Sequence, residues 1–127
     1  MKKEIINTDK APAAIGAYSQ AVNVRDTVYI SGQVPLDPNT KALVSGDFSD
    51  RAHQVFKNLQ AVAQAAGGGL DDAVKLTVYL VDLTNFPLLN EVMGEYLVQP
   101  FPARATVEVS ALPLGALVEI DAVLYLS

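Results

Sequence analysis

Hydrophobic and polar positions alternate in a way that divides the chain into strands and two helices. Six segments show strand-type alternation: Lys3 to Asn7, Tyr18 to Asn23, Thr27 to Ser31, Val74 to Val81, Arg104 to Val109 and Leu117 to Leu126. Two others carry apolar residues at helical spacing, Phe48 to Ala66 and a segment from Pro87 to Leu97. Pro35 to Gly46 contains turn residues and is interpreted as a loop or loose hairpin. This order of elements predicts an α+β fold, with two helices packed on one face of a mixed sheet.

Composition agrees with a globular chain of one domain over residues 1–127. Half of the residues are hydrophobic and 18% are charged, which is typical of proteins that bury a core. We find no linker, no repeat, no signal peptide and no apolar run long enough to span a bilayer. We therefore expect a cytoplasmic protein without a membrane partner.

Residue counts exclude several kinds of chemistry. The chain has no Cys, which removes thiol nucleophiles and disulfides, and one His. A His-based metal site or a Ser-His-Asp triad is therefore disfavoured, and His53 is interpreted as a rim or solvated residue of the first helix. The net charge of −5, with only 9 Lys and Arg, argues against nucleic acid as a partner.

The segment Phe101 to Val109 carries the strongest candidate for chemistry. Pro102 cannot donate to a sheet and biases Phe101 to extended geometry, so a strand is predicted to start near Ala103. Arg104 then lies on rigid backbone, which suits bidentate capture of a carboxylate. The alternative is a strand-end arginine in a surface ion pair, which contributes little.

The two closing strands are predicted to form an antiparallel pair. Arg104, Thr106 and Glu108 then share one face with Glu119 and Asp121, and the opposite, apolar face receives the helices. In this register Glu119 lies close to Arg104, whose charge keeps the carboxylate ionised. The mixed polar and apolar character of the shared face predicts burial against other copies of the chain.

A second candidate follows the third predicted strand, at Ser31-Gly32-Gln33. Glycine at Gly32 allows backbone to approach a ligand closely and leaves amide groups free to bind an anion. The alternative is a plain turn at the end of a strand.

Five segments together resemble the reactive-intermediate deaminase (Rid, YjgF-type) family. They are Ala13 to Gln20, Ile30 to Pro35, Ala65 to Lys75, Pro102 to Val109 and Val118 to Ala122. The resemblance implies a chorismate-mutase-like fold and a homotrimer with a barrel-like centre and sites between subunits. It also implies hydrolysis of 2-imino acids or their enamine tautomers, released by pyridoxal-phosphate dehydratases, to 2-keto acids and ammonia. No metal or organic cofactor is implied.

The resemblance also implies roles for individual residues. Arg104 would bind the substrate carboxylate, and Glu119 would orient or deprotonate the attacking water. The expected substrate contacts are Tyr18, Ser31 with Gly32, Asn90 and Thr106. Many family members have Cys at the position of Thr106. We expect this difference to affect the range of substrates.

Three other functions remain open from the sequence. The same cleft could bind a keto acid without turnover, as a sensor. An RNA-directed activity, reported for some relatives, is disfavoured by the pI of about 4.6. A structural or chaperone-like role is supported only by the high apolar fraction.

Overall fold

The structure is a computed structural model that describes residues 2–127. It contains a six-stranded mixed sheet and two α-helices, which confirms the predicted α+β class. The elements are β1 (Glu4–Ile6), β2 (Ala21–Val24), β3 (Thr27–Gln33), α1 (Phe48–Ala65), β4 (Ala73–Leu80), α2 (Phe86–Tyr96), β5 (Ala103–Glu108) and β6 (Val118–Tyr125). Short 3₁₀ turns lie at Leu70–Asp72, Leu83–Asn85 and Pro113–Gly115.

Helix α1 begins at a capping box. The side chain of Asp47 accepts from the backbone N–H of Asp50 at 3.0 Å, and the backbone N–H of Asp47 donates to Asp50 at 3.1 Å. The apolar stripe of the helix lies against the sheet, with Ala52, Val55, Phe56, Leu59 and Val62 fully buried. Each of the larger side chains contributes about 1.5–3 kcal/mol relative to an exposed position.

Helix α2 carries Pro87 in its first turn and buries Leu89, Val92 and Met93. The Tyr96 ring stacks on Phe56 of α1 at 5.1 Å, and its hydroxyl lies 2.9 Å from Nδ1 of His53. His53 therefore occupies the rim between the helices, as predicted. Within residues 2–127, neither helix is long and apolar enough to cross a bilayer.

The strand order is β1-β2-β3-β6-β4-β5, and it corrects one prediction. Strands β5 and β6 were expected to pair, but β4 lies between them, parallel to β5 and antiparallel to β6. The physical reason is the crossover through α2, because a helix between two strands returns the chain in the same direction.

The register also separates residues that were predicted to share a face. Arg104 is paired with Leu76, which is fully buried in the core, so Arg104 lies on the helix side of the sheet. Glu119 is paired with Tyr79 and lies on the opposite side. The predicted common face for Arg104 and Glu119 is therefore wrong within one chain.

We call this opposite side of the sheet the helix-free face. It carries the alternate residues of β5, including Val107, together with Tyr79 and Glu119. Several of its large side chains are exposed: Tyr29 by 53%, Tyr125 by 54% and Val107 by 42%. The apolar side of β5 thus faces away from the helices.

Candidate active site

Arg104 is held by α2 on the helix side of the edge strand β5. Its Nη1 donates to Oδ1 of Asn90 at 2.8 Å and lies 3.7 Å from Sδ of Met93. The guanidinium carbon lies 4.9 Å from the centre of the Phe86 ring, a cation–π distance. These contacts orient the guanidinium and use one of its nitrogens.

The guanidinium is free of carboxylate partners within the described chain. Among residues 2–127 the one contact between a carboxylate and a basic side chain within 4.0 Å joins Nε2 of His53 to Oε2 of Glu95, at 3.7 Å. Arg104 therefore does not form the surface ion pair that the sequence left open as an alternative. An exposed cation with three N–H donors left over is suited to an anionic ligand.

A pocket of about 400 Å³ opens beside the guanidinium. It lies between α2, the segment that follows it, and the start of β5, and its lining residues are Leu76, Asn90, Met93, Gly94, Leu97, Phe101, Pro102 and Arg104. Asn90 and Arg104, two predicted site residues, therefore belong to one cavity wall.

Thr106 lies two residues after Arg104 on the same side of β5, paired with the fully buried Val78. Its hydroxyl oxygen is buried and has no hydrogen-bond partner among residues 2–127. A buried polar atom without a partner is costly, so a ligand or water atom that reached this hydroxyl would be stabilised.

A second group of predicted site residues surrounds Glu119 on the helix-free face. Gly32 lies in a bulge of β3 opposite β6, and the Glu119 carboxylate occupies the space where a Cβ would stand. Ser31 donates its hydroxyl to the carbonyl of Ser19 at 2.6 Å, which ties β3 to the segment that carries Tyr18.

Tyr18 is 55% exposed, and its hydroxyl accepts from the backbone N–H of Ile15 at 3.3 Å. The loop before it is held by Gln20, a buried side chain that sequence reasoning missed. The Gln20 amide accepts from the Thr8 N–H at 2.7 Å and donates to the carbonyls of Thr8 and Pro12 at 2.9 and 2.7 Å. Tyr18 and Gly32 both line a small cavity of about 50 Å³.

The electrostatics of Glu119 differ from expectation. Burial raises the pKa of its carboxyl, and the neighbouring Asp121 carboxylate raises that pKa further. Asp121 itself accepts from the Tyr79 hydroxyl at 3.0 Å, and this hydrogen bond is the main cause of a raised Tyr79 pKa. The expectation that Arg104 of the same chain keeps Glu119 ionised was wrong, because the two side chains lie on opposite sides of the sheet.

The predicted site residues thus fall into two groups in one chain. The arginine group contains Arg104, Asn90 and Thr106 on the helix side, and the glutamate group contains Glu119, Gly32, Ser31 and Tyr18, centred on the helix-free face and the end of β3. Sequence reasoning missed Phe86 and Met93, which contact the guanidinium, and the hydrogen bond from Tyr79 to Asp121. Apolar residues at helical spacing on α2 gave no sign that two of them would contact a cation.

Replacing Gly32 with alanine is expected to displace the Glu119 carboxylate. The new Cβ would overlap the carboxylate oxygen and lie 2.9 Å from Cδ, so the side chain must move by about 1 Å. The Rid resemblance implies a catalytic role for Glu119, and on that expectation the displacement should lower activity by up to about a hundredfold.

A double-mutant cycle for stability, with Glu119→Ala as the second change, separates this clash from a backbone effect. In the Glu119→Ala background, Gly32→Ala should have no cost in urea unfolding. A cost that is equal in both backgrounds would show that the glycine is required for another reason.

Comparison with known proteins places this geometry in a family. The model of the family described as Endoribonuclease L-PSP matches residues 8–126, nearly the whole chain. The chain belongs to the Rid family, as the five sequence segments predicted.

Relatives of the Rid family resemble the chain over almost its full length. Human 2-iminobutanoate/2-iminopropanoate deaminase is 47% identical over 121 residues, which are 95% of this chain and 88% of the human protein. The crystal structure of RidA from the Antarctic bacterium Psychrobacter sp. PAMC 21119 is 55% identical, with a TM-score of 0.94 over 97% of this chain and 99% of that chain.

A third Rid-family likeness comes from a structure with a small ligand. The crystal structure of E. coli TdcF with bound serine is 36% identical, with a TM-score of 0.92 over 98% of this chain and 99% of that chain.

Proposed function

We propose that this Rid-family protein hydrolyses reactive 2-imino acids and their enamine tautomers to 2-keto acids and ammonia. The observation that carries the proposal is the unpaired Arg104 guanidinium at the wall of a pocket. Support also comes from relatives that are named 2-iminobutanoate/2-iminopropanoate deaminase. The reaction would take place in the cytoplasm, where dehydratases release such imines.

The chemistry needs few groups from the protein. Water adds to C2 of the iminium acid and loses a proton to a base, which returns that proton to the amino group of the resulting carbinolamine. The C–N bond then breaks as the hydroxyl group forms the C=O bond and gives its proton to the departing ammonia. The products are the 2-keto acid and ammonium, so atoms and charges balance without a redox partner. Arg104 holds the carboxylate, with Asn90 supporting the guanidinium, and Glu119 accepts the proton from water.

The raised pKa of Glu119 suits this role. A base works best when its pKa lies near the operating pH, because it is then ionised and still a good proton acceptor. Burial therefore makes Glu119 a stronger base than an exposed glutamate. Tyr18, Ser31 and Gly32 would contact the substrate from the same side. The Thr106 hydroxyl is buried and lies outside the pocket lining, so it would contact the substrate only after a local movement of β5.

The two groups lie on opposite sides of one sheet, so they meet only if the arginine group of one chain faces the glutamate group of another. We therefore propose a homotrimer in which each site lies between subunits, with a threefold arrangement of heterologous contacts. The exposed aromatic and apolar side chains of the helix-free face, including Tyr29 and Tyr125, support burial against other copies. A clean monomer at micromolar concentration in mass measurements would contradict the trimer.

Binding of a keto acid without turnover uses the same guanidinium and remains the second candidate. An RNA substrate is disfavoured although the family description contains the word endoribonuclease, because the net charge of −5 repels a phosphate backbone.

The experiment that tests the proposed function couples a threonine dehydratase to this protein and follows decay of the 2-iminobutanoate absorbance. Added protein is expected to accelerate the decay in proportion to its concentration. Unchanged decay, together with measurable binding of 2-oxobutanoate, would favour the sensor function.

A further inference from the structure

A hydrogen bond on the helix-free face lies beside the proposed base without including it. The Tyr79 hydroxyl donates to Oδ2 of Asp121 at 3.0 Å. We propose that Tyr79 and Asp121 are positioning residues for Glu119: Asp121 holds the Tyr79 hydroxyl away from the Glu119 carboxylate, which stays free to take a proton from water. This inference rests on the proposed function and identifies the residues that keep its base available.

The register of the sheet brings the Tyr79 hydroxyl near both carboxylates. Tyr79 is paired directly with Glu119 across β4 and β6, whereas Asp121 is paired with Thr77 and is the diagonal neighbour of the tyrosine. Diagonal neighbours on one face lie within reach of an aromatic side chain. The pKa of Tyr79 is raised by its hydrogen bond to Asp121, by burial and by the charges of Asp121 and Glu119. The hydroxyl thus lies near two acceptors and donates to the diagonal one.

The Glu119 carboxylate has no hydrogen-bond donor among residues 2–127. Its raised pKa results from burial and from the charge of Asp121, without a hydrogen bond. One of its oxygens lies over the backbone of Gly32, where a Cβ would otherwise stand. A hydrogen bond to a carboxylate stabilises the ionised form and makes it a weaker base. A hydroxyl donated from Tyr79 would therefore weaken Glu119 as a proton acceptor.

Asp121 is an unfavourable neighbour for Glu119 on electrostatic grounds alone. The two residues lie on one side of β6, about 7 Å apart along the strand, and their negative charges repel each other. The positioning role accounts for an acid at this place, because its charge and its hydrogen bond to Tyr79 act in the same direction. Both keep Glu119 a strong base.

The other polar groups on this face do not replace the pair. Tyr29 and Ser31 lie on β3, and the Ser31 hydroxyl already donates to a backbone carbonyl at 2.6 Å. Lys75 lies on β4 four residues before the tyrosine, about 13 Å along the strand. In the proposed trimer a guanidinium of a neighbouring subunit also faces Glu119, and none of the variants below changes it.

The test measures turnover of 2-iminobutanoate in single and double variants. Asp121→Ala releases the Tyr79 hydroxyl to Glu119 and should lower kcat about tenfold, with little change in KM because Arg104 is intact. Adding Tyr79→Phe removes the hydroxyl and should restore most of the lost kcat. If the pair only stabilised the sheet, the two changes would add and the double variant would be no better. Absence of rescue would overturn the proposal.

Matched variants make the rescue specific. Tyr29→Phe removes the same atom from the same face, and it should not restore activity in the Asp121→Ala background. Asp121→Asn keeps an oxygen that accepts from Tyr79, so it should retain more activity than Asp121→Ala. Tyr79→Phe alone should leave kcat within about twofold, and it decides the matter if Asp121→Ala fails to assemble. A tenfold loss in Tyr79→Phe would overturn the proposal, because the hydroxyl would itself be required.

Titration of Glu119 tests the inference without turnover. Carbon NMR of labelled glutamate reports its ionisation, and the signal is assigned from its loss in Glu119→Gln. The pKa of Glu119 should be lower in Asp121→Ala than in the double variant with Tyr79→Phe, because only the former has a hydroxyl that donates to it. Equal values would overturn the positioning role. If the unmodified protein accelerates no imine, the proposed function fails, and the titration alone then supports or overturns the role of Asp121.

Discussion

Replacing Arg104 with alanine is expected to abolish hydrolysis of 2-imino acids while the protein stays folded and assembled. In the proposed reaction the guanidinium supplies both the charge for the carboxylate and the orientation of C2, and loss of such positioning should lower kcat/KM by at least about a hundredfold. Arg104 is exposed and its hydrogen bond to Asn90 lies at the surface, while its contact with the buried Met93 is a long one to sulfur, so little stability should be lost. The dehydratase-coupled assay measures the activity, and urea unfolding measures the stability.

Two further variants make this result specific. Arg104→Lys keeps the charge but not the planar pair of donors, so it should retain only part of the activity and chiefly raise KM. Arg51→Ala removes an arginine of α1 whose Nε donates to the Gly46 carbonyl at 3.2 Å, and it should leave activity unchanged. Normal imine decay with Arg104→Ala would refute the role assigned to the guanidinium.

Glu119→Gln is expected to lower turnover by about 10²–10⁴-fold, the usual contribution of a general base. Substrate binding should change little, because glutamine has nearly the same shape and the carboxylate of the substrate is held by Arg104. Single-turnover measurements with the coupled assay separate kcat from binding. Full activity in this variant would move the role of proton acceptor to another group.

The role of Glu119 as proton acceptor also predicts how activity changes with pH. Only ionised Glu119 accepts a proton, so activity is lost as the pH falls through its pKa. Within one chain, burial and Asp121 raise that pKa above the ordinary value of 4.5, whereas a guanidinium from a neighbouring subunit would lower it. The acid limb of the assembled protein should therefore lie at lower pH than that of an assembly that carries Arg104→Ala. Asp121→Asn removes the like charge and should move this acid limb to lower pH, whereas Glu119→Gln should remove the limb.

Local sequence signals predicted the elements of this fold well, because each depends on neighbouring residues. The apolar stripe of α1 defined that helix to within one residue of its end at Ala65. The alternation of β6 correctly assigned Val118 and Ile120 to the core and Glu119 to the other side. Pro102 correctly marked the turn before β5.

The pairing of strands was less predictable, because alternation does not encode which strand lies next to which. Strand β5 is at the edge of the sheet in this chain, and its alternation of Arg104 and Thr106 with Ala105 and Val107 suggested the reverse orientation. The apolar side of β5 faces away from the core that one chain forms. Because we assumed that the apolar side of a strand faces the core of its own chain, we assigned the residues of β5 to the wrong sides of the sheet.

The candidate site shows the same limit. The resemblance to the Rid family indicated the candidate site residues, and the structure places them in the arginine group and the glutamate group. The distances and contacts within each group could not be predicted from the sequence. The hydrogen bond from Arg104 to Asn90 depends on the crossover that places α2 beside β5. The close approach of Glu119 to Gly32 depends on the bulge in β3.

The central claim is that each active site combines Arg104 of one subunit with Glu119 of another. The most direct test mixes the two inactive variants, Arg104→Ala and Glu119→Gln, in equal amounts, and allows their subunits to exchange under mild denaturation. In the mixture, about half of the subunits carry an intact Arg104 and the other half carry an intact Glu119. A site needs an intact Arg104 from one subunit and an intact Glu119 from its neighbour, so about a quarter of the sites should be restored. We predict recovery of about a quarter of the unmodified activity in the mixture and at most about a hundredth of it in either variant treated alone. A mixture that exchanges subunits fully but stays inactive would contradict the shared site.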